Sequence, residues 1–264
     1  MDYARFDRIA ARPDGRILRV TLNNPEKRNI IDDDVNRQLS DSIEAASFDP
    51  QVNVVLITGE GKVFSAGGDI VKMQRKIDDP SLFYRGIANS RRLVFSVLDC
   101  PKPVICRING DAVGLGATLA LLCDFVVANE DARILDPHVN VGLVAGDGGA
   151  LLWPQLVGYA RAKRYLLLGE PITGKEAAEI GLIAAAAPLD QIDEIAERWA
   201  AKLAAGAIQS ISGTKTTMNA PLRQLAQALL DIGMGYEGLS NISKDHQEAV
   251  TAFLEKRKPQ FTGE

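Results

Sequence analysis

The stretch "KPVICRINGDAVGLGATLALLCDFVVA" (residues 102–128) decides the fold. "PVICRING" (103–110) reads as a short buried strand from its β-branched and apolar content. "DAVGLGATLALLCD" (111–124) reads as a glycine turn opening a buried helix, and "FVVAN" (125–129) as the next strand. Strand, helix and strand in direct succession argue for an α/β protein. The turn is not a phosphate loop, because no Gly-Lys-Ser/Thr follows it. It is not a dinucleotide fingerprint either, because Leu119 stands where the third glycine would be.

Working outward, the same alternation persists on both sides. "RIAARPDGRILRVTL" carries Asp14-Gly15 at its centre, a pair that tolerates the positive φ of a hairpin turn. Leu18, Val20 and Leu22 then alternate with Ile17, Arg19 and Thr21, as in a strand with one face on a core. Val35, Leu39, Ile43 and Ala46 share one helix face, with Asp32, Asp33 and Asp34 at the end the helix dipole favours. "VNVVLITG" (52–59) is a buried strand and "GKVFSAGGDI" (61–70) a glycine-containing loop. Phe83, Ile87, Val94 and Val97 mark another helix, ended by Pro101 and Pro103. Further helices are expected at 148–157, 160–168, 174–180 and 189–204. Beyond residue 206 the strand signal stops. "AIQSISGTKTTMNA", "PLRQLAQALLDIG" and "KDHQEAVTAFLEKR" read as helices, so 1–205 is expected as the core domain and 206–264 as a helical oligomerisation region.

Composition removes several function classes. The net charge of -4 gives no electrostatic case for nucleic acid or an anionic membrane. The apolar run near 112–128 is interrupted by Gly114, Gly116, Thr118 and Asp124, which excludes a membrane span. Cys100, Cys106 and Cys123 lack the spacing of a disulfide framework or a zinc site, and no metal is expected. "MDYARFDRIA" has no apolar run of a secretory signal, so the expected location is cytoplasmic.

Two features carry chemistry. The turns "SAGGD" (65–69) and "GLGA" (114–117) would, if they converged, aim two backbone N–H groups at one oxygen. One such donor is worth roughly 3 kcal/mol of transition-state stabilisation. The stretch "DPHVNVGLVAGDG" (136–148) holds His138, one of two histidines in the chain, and Asp147 nine residues later. An imidazole with an unperturbed pKa of about 6.5 serves as acid or base. A carboxylate on its Nδ1 would fix the tautomer, the part expected of Asp147.

These pieces resemble the crotonase superfamily, the enoyl-CoA hydratase/isomerase family. The resemblance rests on "NNPEKRN", "VVLITGEGKVFSAGGDI", "KPVICRINGDAVGLGATLALLCDFVVA", "GDGGALLWPQLVG", "LLLGEPITGKEAAEIGLI" and the tail "AFLEKRKPQF", and runs from about residue 6 to 261. It implies a crotonase-like ββα spiral with a C-terminal helical trimerisation region, and trimers or hexamers built as dimers of trimers. It also implies acyl-CoA substrates, with CoA part of the substrate and no separate cofactor. By position, the resemblance makes Ala66 and Leu115 the oxyanion-hole residues, although the family usually has glycine at the second. It assigns substrate and CoA contacts to Lys27, Arg28, the Ala66-Gly67-Gly68-Asp69 turn, Phe253 and Lys256. The last two match tail positions that reach the CoA of a neighbouring subunit.

The catalytic positions depart from the family. Hydratases use two glutamates, and here Thr118 and His138 stand in their places. Glu130 falls in the solvent-facing turn "ANEDA" and cannot substitute. A threonine is no base at neutral pH. His138 with Asp147 is therefore expected to move the proton, with Thr118 binding water or ligand. Around His138 and Asp147 the chain is also similar to β-diketone hydrolases of the 6-oxocamphor hydrolase type. Their second histidine is missing, and His246 is expected to be distant and exposed. Three readings follow: an acyl-CoA hydratase or isomerase, a C–C or thioester hydrolase, and a non-catalytic CoA-binding protein. Met73, Phe83, Tyr84, Val141, Leu143 and Trp153 are the expected walls of the acyl pocket.

Overall fold

The computed structural model describes residues 1–264 and begins with the expected hairpin, β1 (Ile9–Asp14) and β2 (Ile17–Leu22), around Gly15 at φ +57°. Leu18, Val20 and Leu22 are buried, as their alternation requires. Helix α1 (Asp33–Phe48) follows, its N-cap Asp32 accepting the Val35 N–H at 3.1 Å. Next come β3 (Val54–Gly59), α2 (Ile70–Asp78) and α3 (Pro80–Leu98). Helix α2 buries none of its residues fully; its apolar face, Ile70, Met73 and Ile77, is only half-buried and spans barely two turns, too short a stripe for the sequence to announce.

From β4 (Val104–Ile108) the chain winds as a spiral, dropping strands into two sheets. It continues through β5 (Ala112–Val113), α4 (Leu115–Leu122), β6 (Phe125–Asn129), β7 (Arg133–Leu135) and α5 (Gly149–Leu168). Then follow β8 (Ile172–Thr173), α6 (Gly174–Glu179), β9 (Ala185–Ala187) and α7 (Ile192–Ala204). The large sheet has the order β1-β2-β3-β4-β6-β9, parallel except for the hairpin. The small sheet is β5-β7-β8, and none of its strands exceeds three residues. Such strands are too short to show alternation, which is why the sequence did not reveal them.

Strand β3 is buried on both faces. Val55 and Ile57 join the main core with α1, α3 and α4, while Val54 and Leu56 meet Ile192, Ala196 and Ala200 of α7. Gly158, at φ +77° and ψ +159°, divides α5 at the expected break between 157 and 160. The break expected at Pro221 does not occur: α8 runs unbroken over Ile208–Asn241. Ala226, Leu230 and Met234 bury against the core. That packing outweighs the one helix bond that proline removes. Helix α9 (Lys244–Leu254) completes the chain. No helix is long and apolar enough to cross a membrane.

Helix α8 is tied to the spiral by Lys215, whose Nζ lies 2.6 Å from Asp124 Oδ2 and 2.9 Å from the Lys102 carbonyl. Both partners are largely buried. Lys215→Met leaves the Asp124 carboxylate uncompensated and is expected to cost about 3 kcal/mol of stability. Urea denaturation of the variant and the parent measures that difference directly.

Candidate active site

The two glycine turns converge. The Ser65 N–H donates to the Asp111 carbonyl at 3.1 Å, and the Val113 N–H returns to the Ser65 carbonyl at 3.0 Å. Ser65 Oγ donates to the Asn29 carbonyl at 2.8 Å and accepts the Gly67 N–H at 3.0 Å. A Cβ at Gly67, φ +75°, would stand 2.4 Å from the Val113 oxygen, and one at Gly116 would stand 2.6 Å from Ser65 Cβ. Both positions therefore require glycine for close backbone approach.

Leu115 is the first residue of α4, and its N–H has no hydrogen-bond partner. The left-handed φ of +51° falls on Gly114, so leucine is accommodated without strain. Ala66, the other expected donor, does not fit that part. Its N–H is occupied by the Arg28 carbonyl at 2.9 Å. Two residues on, the Gly68 N–H is unpartnered and Gly68 lines the cleft. The free pair is Gly68 and Leu115.

The cleft has a volume of about 710 Å³. Of the expected residues, Lys27, Arg28, Ala66, Gly68, Asp69, Leu115, His138, Asp147 and Phe253 line it. Phe253 reaches the cleft of its own chain. Gly67 lies behind the turn, Asp69 also caps α2, and Thr118 is buried behind Asp147. Lys256 is exposed, at φ +57°, and does not line the cleft. Met73, Phe83, Val141 and Leu143 form walls as expected. Two expected walls do not: Trp153 is a core residue stacked 5.4 Å from Tyr165, and Tyr84 points to solvent.

His138 follows the end of β7, which the Gly114 N–H holds through the Leu135 carbonyl at 2.9 Å. The imidazole therefore stands over Gly114, the residue before Leu115, with Cε1 3.9 Å from where a Gly114 Cβ would be. Its Nδ1 meets Asp136 Oδ1 at 2.5 Å, and Asp147 Oδ2 lies 3.6 Å from Nε2. The orienting carboxylate is thus Asp136, not Asp147 as the sequence reading expected. The Asp-Pro-His spacing brings Asp136 and His138 to the same side of the turn. Thr118 Oγ1 donates to Asp147 Oδ1 at 3.3 Å, so the threonine positions the second carboxylate. A Cβ at Gly149 would stand 1.8 Å from Asp136 Oδ2, which puts that carboxylate against the first turn of α5.

A third acid enters from α8. Glu237 is 9% exposed and lines the same cleft. Nothing local in the sequence marks it, because it reaches the site only through the packing of a distant helix. Burial pushes its carboxyl up to about 8, with Asp147 and Asp136 adding to the effect and His138 and Lys76 opposing it. Burial also raises Asp147, and the neighbouring His138 only partly offsets that. Burial works against the charged imidazole of His138, but Asp136 and then Asp147 outweigh it and hold the group well above its ordinary value. Asp136 itself lies below the usual carboxylate range: burial opposes its charge, and His138 more than compensates. The resting site is an Asp136–His138 ion pair next to a protonated Glu237. Carboxylate and imidazole atoms of Asp136, His138 and Asp147 lie within 4.8 Å of one another. With Nδ1 bonded to Asp136, the arrangement is that of a proton-handling chain.

His246 overturns another expectation. It is fully buried, not exposed, and its Nδ1 lies 2.6 Å from the Val141 carbonyl. Burial lowers its pKa, so it is a neutral support for the His138–Val141 turn.

The family model for enoyl-CoA hydratase/isomerase matches residues 13–264. The chain is 34% identical over 251 residues to 1,2-epoxyphenylacetyl-CoA isomerase of Escherichia coli K12, covering 94% of this chain and 95% of that protein. It is 35% identical over 253 residues to 2,3-dehydroadipyl-CoA hydratase of the same organism, covering 94% and 96%. An enoyl-CoA hydratase/isomerase structure from Mycobacterium paratuberculosis superposes with a TM-score of 0.88 at 36% identity, covering 92% of this chain and 97% of that one.

Glu237 makes stability depend on pH. The folded protein holds its proton up to about 8, whereas an ordinary glutamic acid releases it near 4.5. Within that window the folded state binds more protons than the unfolded chain, so stability falls as pH rises. Glu237→Gln cannot ionise and is expected to flatten this slope, gaining most over the parent at the alkaline end. Thermal melts of both proteins across the window check it, and parallel curves would contradict the assignment.

Proposed function

The chain belongs to the enoyl-CoA hydratase/isomerase family, and from that premise we propose that it transfers a proton on an acyl-CoA thioester through an enolate held by the Gly68 and Leu115 N–H groups. The observation that carries this reading is the imidazole of His138, whose Cε1 lies 3.9 Å from where a Cβ on Gly114, the residue before the unpartnered Leu115 N–H, would stand. Removing a C2 proton leaves negative charge on the thioester oxygen, where two preorganised donors act most strongly. Returning that proton to C4 shifts the double bond. One imidazole serves both steps, and no oxidant or second substrate is required. Double-bond isomerisation therefore fits this site better than hydration of simple enoyl groups, which needs a separate group to activate water. Glu237 lines the cleft but, held protonated by burial, cannot take a proton from water. CoA enters as part of the substrate, its phosphates met by Lys27 and Arg28. The C–C hydrolase reading is disfavoured because the site lacks a second histidine: His246 sits behind the wall and does not line the cleft.

Two kinetic outcomes follow. His138→Ala is expected to lower kcat by about 100-fold or more while CoA binding persists. Unchanged kinetics would sink the role given to the imidazole. His138 acts as a base only when neutral, and Asp136 holds its pKa high. The rate of proton abstraction is therefore expected to rise with pH through a midpoint above roughly 6.5. Asp136→Asn removes the charge and should move that midpoint down while slowing turnover. A pH–rate profile of the two proteins decides the matter.

We also infer that the chain assembles as a homotrimer or a dimer of trimers. Met218, Ile232, Tyr236, Leu239 and Ile242, at the outer face and end of α8, are each more than half exposed. An apolar stripe of that extent marks a protein–protein contact. Ile232→Asp with Leu239→Asp is expected to reduce the mass measured by light scattering to that of one chain.

A further inference from the structure

We propose that the acid–base cluster is also a zinc site, in which His138, Asp147 and Glu237 ligate one ion and Asp136 holds the histidine from behind. Ion binding needs only these side chains. Its effect on turnover rests on the acyl-CoA reading above, because the ion takes the imidazole lone pair that removes the C2 proton.

The spacing is that of two ligands on one ion. His138 Nε2 and Asp147 Oδ2 are 3.6 Å apart, too far for a hydrogen bond. Zinc bonds to nitrogen and oxygen of about 2.0–2.1 Å, at a tetrahedral angle, set neighbouring ligands roughly 3.3 Å apart. A small movement of either side chain closes the pair on an ion. Both are prepared for it. His138 Nδ1 is committed to Asp136 Oδ1 at 2.5 Å, which leaves Nε2 as the free nitrogen on the side of Asp147. A carboxylate behind a histidine is the arrangement that orients an imidazole ligand and raises its basicity. Asp147 Oδ1 accepts from the Thr118 hydroxyl at 3.3 Å, which leaves Oδ2 for the ion.

Glu237 points to a ligand independently. It is 9% exposed, lines the cleft with His138 and Asp147, and its carboxyl group makes no hydrogen bond. A Cβ on Gly146 would stand 2.9 Å from its Oε2, so that oxygen lies against the residue preceding Asp147. A buried polar group without a partner is costly, and an ion shared with Asp147 supplies the partner. One imidazole nitrogen with two carboxylate oxygens favours zinc over magnesium, which prefers oxygen ligands and keeps its waters. The two ligating carboxylates neutralise the ion. Lys76 of α2, which also faces Glu237, opposes it with a single charge. No cysteine takes part, since all three are buried away from the cleft.

Protein dialysed against a chelator is titrated by calorimetry with zinc sulfate and, separately, with magnesium chloride. The expected result is one zinc ion per chain and no saturable response to magnesium. X-ray absorption at the zinc edge of the parent protein should show a single imidazole among oxygen ligands. His138→Ala and Asp147→Asn should each weaken binding at least about tenfold, and Asp136→Asn about tenfold through the histidine it orients. Turnover of a 3-enoyl-CoA should fall as the site fills and return on adding EDTA. No saturable zinc binding, an absorption spectrum without imidazole, or uptake that His138→Ala and Asp147→Asn leave intact overturns the proposal. Zinc bound in this way to a protein that turns over no enoyl thioester supports the site and overturns the catalytic reading.

Discussion

The structure turns on the pairing of Ser65 with the Asp111–Val113 segment. Two backbone hydrogen bonds bring two loops, nearly fifty residues apart in sequence, to van der Waals distance, while the Ser65 hydroxyl ties its own turn to Asn29 and Gly67. That approach dictates glycine at 67 and 116 and leaves Gly68 and Leu115 with unpartnered N–H groups. The donors are thus a by-product of the spiral itself. They sit on elements whose positions the sheet has already fixed, and little reorganisation is needed when charge develops against them.

The acid–base cluster depends on that pairing at one remove. The Gly114 N–H fixes the end of β7, and β7 delivers Asp136 and His138 to the donors. Three carboxyl groups and one imidazole then share a buried volume. They cannot all be charged at once, so their protonation states divide: Asp136 ionised, His138 charged beside it, Glu237 neutral. A site of this kind stores a proton next to a potential base. His246 holds the Val141 carbonyl, and the glycines at 142 and 146 let the following loop pack against the backbone of His246 and Gly233 where a side chain would collide.

The legible part of the fold was the part with period. The hairpin, α1, β3, α3, the strand–turn–helix at 103–129 and the division of α5 at Gly158 all follow from alternation, stripe or turn chemistry. Helix α2 was hidden because its half-buried stripe spans only nine residues, and the small sheet because its strands span two or three. Pro221 misled because core packing overrode it. At the site, His138 and Asp147 were visible as polar residues in an apolar stretch, and the structure brings them within 3.6 Å. Asp136 stood in the same stretch and was overlooked, since two-residue spacing says nothing until the turn at Pro137 is known. Ala66 and Gly68 could not be told apart as donors without knowing which N–H the Arg28 carbonyl captures. Glu237 and Lys76 required the packing of α8 and α2, which no local pattern encodes.

The same geometry ties together Thr118 and His138, the two positions at which the resemblance expects glutamates. Thr118 is short enough for Asp147 to reach forward and accept its hydroxyl hydrogen. A Cβ on Gly148 would lie 2.5 Å from Thr118 Cγ2, so the loop passes over Thr118 at a distance only glycine allows. A glutamate at 118 would displace Asp147 and add a fourth carboxyl group to a site where burial already holds Glu237 neutral. Asp136, against α5, would remain with its Oδ2 unpartnered and its Oδ1 committed to His138. The histidine, its two aspartates and the threonine form one unit, and each of the four occupies space or charge that the other three require.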